Sequence, residues 1–353
     1  MTNTYNIAVI PGDGIGKEVM PEAIKVLEAV AGKYDLGFTF DEKDWNCERF
    51  QKTGAMMPDD GLEQIAEHDS ILLGAVGFPG VPDHVSLWGL LIPIRREYQQ
   101  YVNLRPVRLF EGMPCPLAGR EAGDIDFMIV RENNEGEYSE VGGRLYAGTD
   151  QELAVQQAIF TRKGTDRIMR YAFDLARTRE RKHVTSATKS NGIIHSMPYW
   201  DDRFEAVSVD YPDVTTDKFH IDILTAHFVR NPDWFDVVVG SNLFGDILSD
   251  LGPAVTGTIG IAPGGNINPE RDHPSMFEPV HGSAPDIAGK GICNPIGEIW
   301  SAAMMLDHLG HSHAAANIIT AIETVIRDSD IKTPDMGGKA TTSELGRAIV
   351  DAL

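Results

Sequence analysis

Asp236-Val237-Val238-Val239-Gly240-Ser241-Asn242-Leu243-Phe244-Gly245-Asp246-Ile247-Leu248-Ser249-Asp250 runs from an apolar, β-branched stretch into a segment of helical spacing. A strand followed at once by a helix is the unit from which parallel α/β sheets are built. The alternation recurs along the chain: Ile7–Ile10 before Gly16–Ala31, Ile71–Val76 before a helix near Leu90–Tyr101, Val184–Thr188 before Gly192–Phe204, and Asp236–Val239 before Phe244–Leu251. The fold class is therefore α/β. The glycine- and proline-rich stretch Gly252–Pro269, with Arg271–Pro274, is expected to form loops around a domain crossing, after which helices resume at Pro295–Leu309 and Ala314–Asp328. Between Glu137 and Lys163 the pattern turns irregular and then β-rich, with Gly142-Gly143 as its expected turn, which suits an arm reaching away from its lobe.

Asp246 and Asp250 lie i, i+4, so both carboxylates share one helix face and repel each other. A solvated acidic face is the bland explanation. Because the helix follows an apolar strand, however, the pair sits at the C-terminal edge of a sheet, where α/β ligands bind. A hard divalent cation with oxygen ligands, Mg²⁺ or Mn²⁺ rather than zinc, offsets such repulsion.

Ile10-Pro11-Gly12-Asp13-Gly14-Ile15-Gly16-Lys17 also joins a strand to a helix and superficially resembles a dinucleotide fingerprint. The spacing fails. After Gly12 and Gly14 the third small residue falls on Lys17, so the glycine that lets helix and strand approach is expected to be missing. The fold is not a Rossmann fold on this reading, and a tight turn is the simpler account of the loop.

Other residues gain interest from their position. Arg95 is placed on a helix, Arg105 at the Asn103-Leu104-Arg105-Pro106 turn and Arg131 directly after the buried strand Ile125–Val130. Each alone is a common surface charge, but together they offer the planar forks that grip a dianion's carboxylates. Lys189 ends the strand-like run Val184–Thr188, and Tyr138 lies seven residues past Arg131. A desolvated lysine serves as a base and a tyrosine as an acid, though structural hydrogen bonds account equally for either one singly. His281-Gly282-Ser283-Ala284-Pro285-Asp286, with Asn294-Pro295 opening a helix, allows close backbone approach to a ligand, and Asp286 could accept hydrogen bonds from ribose hydroxyls.

The 353 residues, 42% hydrophobic and 24% charged, suffice for a large core and suggest two lobes. A formal charge of -21 argues against nucleic-acid and acidic-membrane partners, and a dianionic substrate must meet a local arginine cluster to overcome it. Cys47, Cys115 and Cys293 are odd in number and form no CxxC, consistent with reduced, cytoplasmic thiols. Met1-Thr2-Asn3-Thr4-Tyr5 lacks a basic leader, and no apolar run reaches the length of a membrane span.

Taken together, Asn242–Asp250 and Glu278-Pro279-Val280-His281-Gly282-Ser283-Ala284-Pro285-Asp286-Ile287-Ala288-Gly289-Lys290-Gly291 resemble the β-decarboxylating dehydrogenases, and the likeness runs from Asn6 nearly to the C-terminus. That family includes isopropylmalate, isocitrate, and tartrate or D-malate dehydrogenases. The resemblance implies an isopropylmalate dehydrogenase-like two-lobed fold with a mixed sheet. Residues 1–100 and 257–353 would form a large cofactor-binding lobe, and 101–256 an inserted lobe with the metal and substrate residues and a dimerisation arm at about 137–163. It further implies Arg95, Arg105 and Arg131 as the substrate clamp, Tyr138 as general acid, Lys189 as general base, and Asp222, Asp246 and Asp250 as metal ligands. The cofactor would bind at His281, Gly282, Ser283, Ala284, Asp286 and Asn294. The family's counterparts of Lys189 and Asp222 come from the partner subunit, so a homodimer with shared sites is expected.

The same resemblance supplies a chemistry: NAD-dependent oxidation of a 2-hydroxy diacid at a Mn²⁺ or Mg²⁺ centre, followed by loss of the carboxylate β to the new carbonyl, with the need for a monovalent cation such as K⁺ left open. Asp286-Ile287 resembles the NAD-using members, the acid repelling a 2′-phosphate. Ser86-Leu87-Trp88-Gly89 resembles the tartrate and D-malate enzymes, with Trp88 where isopropylmalate enzymes carry an acid, and Gly89 and Leu91 replacing residues that hold a third carboxylate in isocitrate enzymes. Leu91 and Ile92 match apolar positions that receive an isopropyl group, which keeps 3-isopropylmalate as the alternative substrate. A non-catalytic, nucleotide-binding regulatory subunit is the alternative of another class, opposed by the retained lysine, tyrosine and aspartates.

Overall fold

The computed structural model describes residues 3–353, so Met1 and Thr2 of the N-terminal stretch lie outside the described residues. The chain divides into two units. Met1–Gln100, Arg108–Gly123 and Thr256–Leu353 form the first, and Tyr101–Val107 with Asp124–Val255 the second, so that residues 108–123 group with the chain ends.

In the first unit five strands lie in the order Leu36–Glu42, Asn3–Gly12, Ser70–Ala75, Ser275–Pro279, Pro263–Ile267. The first four run parallel and the last antiparallel, which makes the sheet mixed. Ile7, Ala8, Val9 and Ile10 are all buried, as expected for a strand covered on both faces. The helix Gly16–Tyr34 supplies one cover, burying Val19, Met20, Ala23, Val26, Leu27 and Val30 at three- and four-residue spacing. Gly16 approaches so closely that a Cβ there would lie 2.6 Å from Ala75 N, and one on Gly74 would lie 2.9 Å from Gly16 Cα. The small residue expected to be missing at Lys17 is thus supplied one position earlier, by Gly16.

The second unit orders Val102–Arg108, Asp126–Glu132, Val237–Gly240, His183–Thr188 and Thr215–His220. The last four are parallel, so their C-terminal ends share one edge. Val237–Gly240 is wholly buried. The helix Asn242–Thr256 starts immediately beyond that edge.

Several local expectations are corrected. Gly142-Gly143 is not a turn: the strand Gly142–Leu145 pairs antiparallel with Leu153–Gln156, Gly142 facing Gln156 and Gly143 facing Val155. A Cβ on Gly142 would meet Val155 O at 2.1 Å, so the glycine serves close strand approach, and the chain instead reverses beyond Tyr146 (φ 55°) and Gly148 (φ 79°). Gly252–Pro269 is not all loop. The helix continues through Pro253 to Thr256, and Pro263–Ile267 is a strand that begins on its proline, where the missing donor costs little. The helix expected near Leu90–Tyr101 begins at Asp83 and passes through a π-helical turn, Leu87–Leu91, before Ile92–Glu97. Pro93 lacks the N–H that would bond to Gly89, and Ile92 N bonds to Leu87 O instead, widening the turn. Gln99 at φ 47° then ends the helix.

No helix among the described residues is long and apolar enough to cross a membrane.

Candidate active site

The strand register sets Gly240 beside Arg131 at the shared edge of the second unit. The helix carrying the aspartates can pass Arg131 because Gly245 has no side chain: a Cβ there would lie 2.5 Å from Arg131 Cβ. Arg131 is buried, its Nε and terminal nitrogen donating to Asn242 Oδ1 at 3.1 and 2.7 Å. Its other terminal nitrogen bonds the Asp246 carboxylate, whose second oxygen accepts the Tyr138 hydroxyl at 2.7 Å. The Arg131 guanidinium lies 5.4 Å from the Tyr138 ring centroid. Partial burial, then the hydrogen bond to and charge of Asp246, push the Tyr138 phenol up to about 12. It remains a proton donor throughout the neutral range.

Arg105 is buried and oriented by Asn103 Oδ1, which accepts from its Nε at 2.8 Å. The Asp250 carboxyl is raised by desolvation and then by the Asp246 charge, while Arg105 and Arg131 act in the opposite direction. A carboxyl whose ionisation is disfavoured by a neighbouring carboxylate, as that of Asp250 is by Asp246, belongs to a donor pair that suits a hard cation.

Lys189 and Asp222 form a separate pair. Lys189 follows the strand His183–Thr188 and donates to Asp222 Oδ1 at 2.7 Å, and Asp222 is held below its ordinary range chiefly by that bond. Among the described residues no cluster of three histidine, cysteine or acidic side chains is placed to hold a metal ion. One chain brings together Arg131, Tyr138 and Asp246, with Asp250 and Arg105 in electrostatic reach, and among its described residues Asp222, Asp246 and Asp250 do not gather into one metal-holding cluster.

In the first unit Arg95 is buried and donates to Glu278 Oε1 at 2.7 Å, an oxygen that also accepts from Asn266 Nδ2 at 2.7 Å. Trp88 is 36% exposed, with the Arg96 guanidinium 4.8 Å from its ring centroid. Leu91 packs against the core cluster around Leu90, Ile94 and Met56, and Ile92 is buried.

The 281–294 segment borders a cavity of 420 Å³ walled by Ile15, Ala284, Ile287, His281, Asn294 and Asp335 among others. Apolar walls with a few polar edges suit a purine base. His281 Nδ1 faces Gly282 O at 3.1 Å, and since a carbonyl only accepts, the proton is assigned to Nδ1, leaving buried Nε2 as an unpartnered acceptor. Burial lowers the ring's proton affinity, keeping it neutral. Asn294 donates to Asp335 Oδ2 at 2.9 Å and accepts from Ile296 N at 3.0 Å, which fixes its amide. Gly282 has nothing within 4 Å of a notional Cβ, Ser283 is buried, and Asp286 is exposed. The residues present fit a dinucleotide.

The profile describing isocitrate/isopropylmalate dehydrogenases matches residues 6–349. This chain belongs to that family. It is 60% identical over 356 residues to the D-malate dehydrogenase [decarboxylating] of Escherichia coli (strain K12), covering 99% of this chain and 98% of the relative. It is 60% identical over 359 residues, with the same coverage, to the tartrate dehydrogenase/decarboxylase of Pseudomonas putida. Among solved structures, the isocitrate dehydrogenase from Methylococcus capsulatus superposes with a TM-score of 0.89 at 35% identity, covering 99% of each chain. As a member of the isocitrate/isopropylmalate dehydrogenase family the chain is an enzyme, a dehydrogenase with the mixed α/β fold of that group.

The geometry adds residues that sequence reading missed. Asn242 aims Arg131, Asn103 aims Arg105, and Asp335 holds Asn294. Glu137 accepts from Ser241 Oγ at 2.8 Å and Leu243 N at 3.1 Å, capping the aspartate helix beside Tyr138. Asn103 and Glu137 carry a visible signal, standing within two residues of Arg105 and Tyr138, whereas Asn242 and Asp335 reach Arg131 and Asn294 across 111 and 41 residues of chain, which the sequence does not display.

Proposed function

We propose that this enzyme uses NAD⁺ and Mn²⁺ or Mg²⁺ to oxidise tartrate and to convert D-malate to pyruvate and CO₂, working as a homodimer. The observation that carries the reading is 60% identity over 99% of the chain to both a D-malate and a tartrate enzyme. Asp246 and Asp250, with Asp222 of a second copy, would hold the cation, which when bound supplies the Lewis acidity that lowers the pKa of a 2-hydroxyl. Arg131 and Arg105, each aimed by an asparagine, bind substrate carboxylates through their planar forks. Lys189 of the second copy would take the hydroxyl proton, and NAD⁺, held at the 281–294 segment, would supply the acceptor for the hydride leaving C2. The product is a 2-keto acid. Once the carboxylate β to its carbonyl leaves as CO₂, Tyr138 donates its proton to the carbon left behind.

Two observations support the dimer. Asp222, Asp246 and Asp250 form no single metal-holding cluster among the described residues of one chain, and the hairpin Gly142–Gln156 with the preceding Val141 exposes Val141 (46%), Leu145 (58%), Leu153 (41%) and Val155 (47%). A lone two-stranded hairpin is marginal in water, so a surface that covers those side chains would stabilise it.

Trp88 stands exposed while Leu91 and Ile92 turn toward the core, which favours a C3 substituent of hydrogen or hydroxyl over a branched one. Comparing kcat/KM for D-malate, tartrate, 3-isopropylmalate and isocitrate at saturating Mn²⁺ and NAD⁺ tests this. A preference of roughly 10–200-fold for the first two is expected. Preference for 3-isopropylmalate would overturn the substrate assignment and leave the family intact.

A further inference from the structure

The glycine-rich turn at Ile10–Lys17 has no part in the chemistry above, yet the structure ties it to the 281–294 segment. Ile15 N donates to Ser283 O over 2.9 Å, and Gly14, at φ 54°, passes so near that a Cβ would lie 2.1 Å from the same carbonyl. One turn into the helix, the two carboxylate oxygens of Glu18 accept separately from Gly289 N at 2.7 Å and Gly291 N at 2.8 Å. Both glycines hold positive φ, 78° and 64°. Ile15 and Val19, which flank Glu18 on the helix, pack with Cys293 against Ala284, Ile287 and Ala288. The loop is thus fastened to one helix at its start, along its body and at its end, with Asp286 exposed between the fastenings.

We propose that Glu18 is a positioning residue for the dinucleotide: by gripping the Gly289 and Gly291 amides it holds the loop in the shape that presents Asp286, and so sets affinity for NAD and discrimination against NADP. The inference rests on reading 281–294 as the nucleotide loop. Its physical basis is preorganisation. Charge-assisted bonds to two amides suppress alternative loop conformations before the ligand arrives, so the ordering cost is not charged to binding. An acid in a helix's first turn also steadies the helix dipole, but losing that effect alone would lower stability without touching nucleotide affinity.

The test compares wild type, Glu18→Ala, Glu18→Gln and Asp286→Ala as full-length proteins. NADH and NADPH binding are titrated by fluorescence without substrate or metal, and amide exchange at Gly289 and Gly291 is followed in the nucleotide-free protein. Glu18→Ala should weaken NADH binding about tenfold, with the loss appearing in the KM for NAD⁺ rather than in kcat. Exchange at both amides should speed up, and the gap between NADH and NADPH should narrow. Glu18→Gln, which keeps one acceptor and nearly the same shape, should fall between. NADH affinity within twofold of wild type in both Glu18 variants, with Asp286→Ala still shifting selectivity, would overturn the proposal and leave the loop's assignment standing. If Asp286→Ala also leaves the binding of both nucleotides unchanged, the nucleotide loop itself is misassigned and the inference falls with it.

Discussion

Replacing Tyr138 with phenylalanine removes one hydroxyl and leaves the ring stacked by Arg131, 5.4 Å from its guanidinium. The bond lost is the 2.7 Å donation to Asp246. A buried hydrogen bond to a charged acceptor is worth about 1.5–3 kcal/mol. The Asp246 side chain is 39% exposed and keeps Arg131, so solvent screening reduces the expected loss to about 1 kcal/mol. In a chain of this size that lowers the unfolding midpoint by about 1–2 °C. The catalytic effect should be far larger, because general acid catalysis contributes about 10²–10⁴-fold, or roughly 3–5 kcal/mol of barrier. The two consequences separate cleanly. Feeding oxaloacetate and following pyruvate isolates decarboxylation and protonation from oxidation, whereas NADH formation from tartrate reports oxidation. The Phe variant should lose most of the first activity and much less of the second. Retention of oxaloacetate conversion within threefold of wild type would refute Tyr138 as the acid, and a midpoint drop above about 10 °C would make it a structural residue instead.

Chelation should abolish turnover and Mn²⁺ or Mg²⁺ restore it, while Asp246→Asn weakens metal binding measured by calorimetry; full activity in excess chelator would contradict the mechanism. Mixing Lys189→Ala and Tyr138→Phe chains, each unable to complete the conversion of D-malate to pyruvate, after dissociation and reassociation should restore about a quarter of the wild-type sites competent for that full conversion if Lys189 crosses between subunits, and none if each chain completes its own site. His308 is lowered to about 4 by burial and then by the Arg271 charge. The folded state therefore binds fewer protons than the unfolded one, so this residue's contribution is complete above about pH 6.5 and is lost, by up to about 3 kcal/mol, as pH falls toward 4. Urea unfolding of His308→Gln should show a shallower loss over that range, and an unchanged slope would rule the histidine out as its source.

The strand–helix alternation was readable because buried parallel strands such as Val237–Gly240 are apolar on both faces and need no partner information to be recognised. Side chains at strand ends, Arg131 and Lys189, were readable for the same reason: position after an apolar run locates the sheet edge. Other features depend on close backbone approach, which a single sequence does not display. Gly142 reads as a turn until its partner Val155 is known, and Gly16 and Gly74 reveal their packing role only as a pair. The Gly252-Pro253 dipeptide likewise reads as a helix end, but the helix continues through it as Gly252 fits against Val107.

The charge of -21 reads in sequence as a repulsive surface, yet much of the acid near the candidate site is used to fasten backbone. Along Arg131–Tyr138 three glutamates alternate with the chemistry. Glu132 accepts from Asn134 N and Glu135 N, and burial pushes its carboxyl up to about 8. Glu135 accepts from Thr161 N and Oγ1, so close to the next helix that a Cβ on Gly164 would lie 2.2 Å from its carboxylate. Glu137 caps the helix that carries Asp246 and Asp250. Glu132, raised by burial, carries its proton at neutral pH and adds no charge there, while Glu135 and Glu137 commit their oxygens to backbone and hydroxyl donors, which steadies the loop. Lysines in these places could not accept those donors, and neutral side chains would bind them less firmly. The acids along this stretch thus face the backbone, while the guanidinium groups beside them are aimed by asparagines, Arg131 by Asn242 and Arg105 by Asn103.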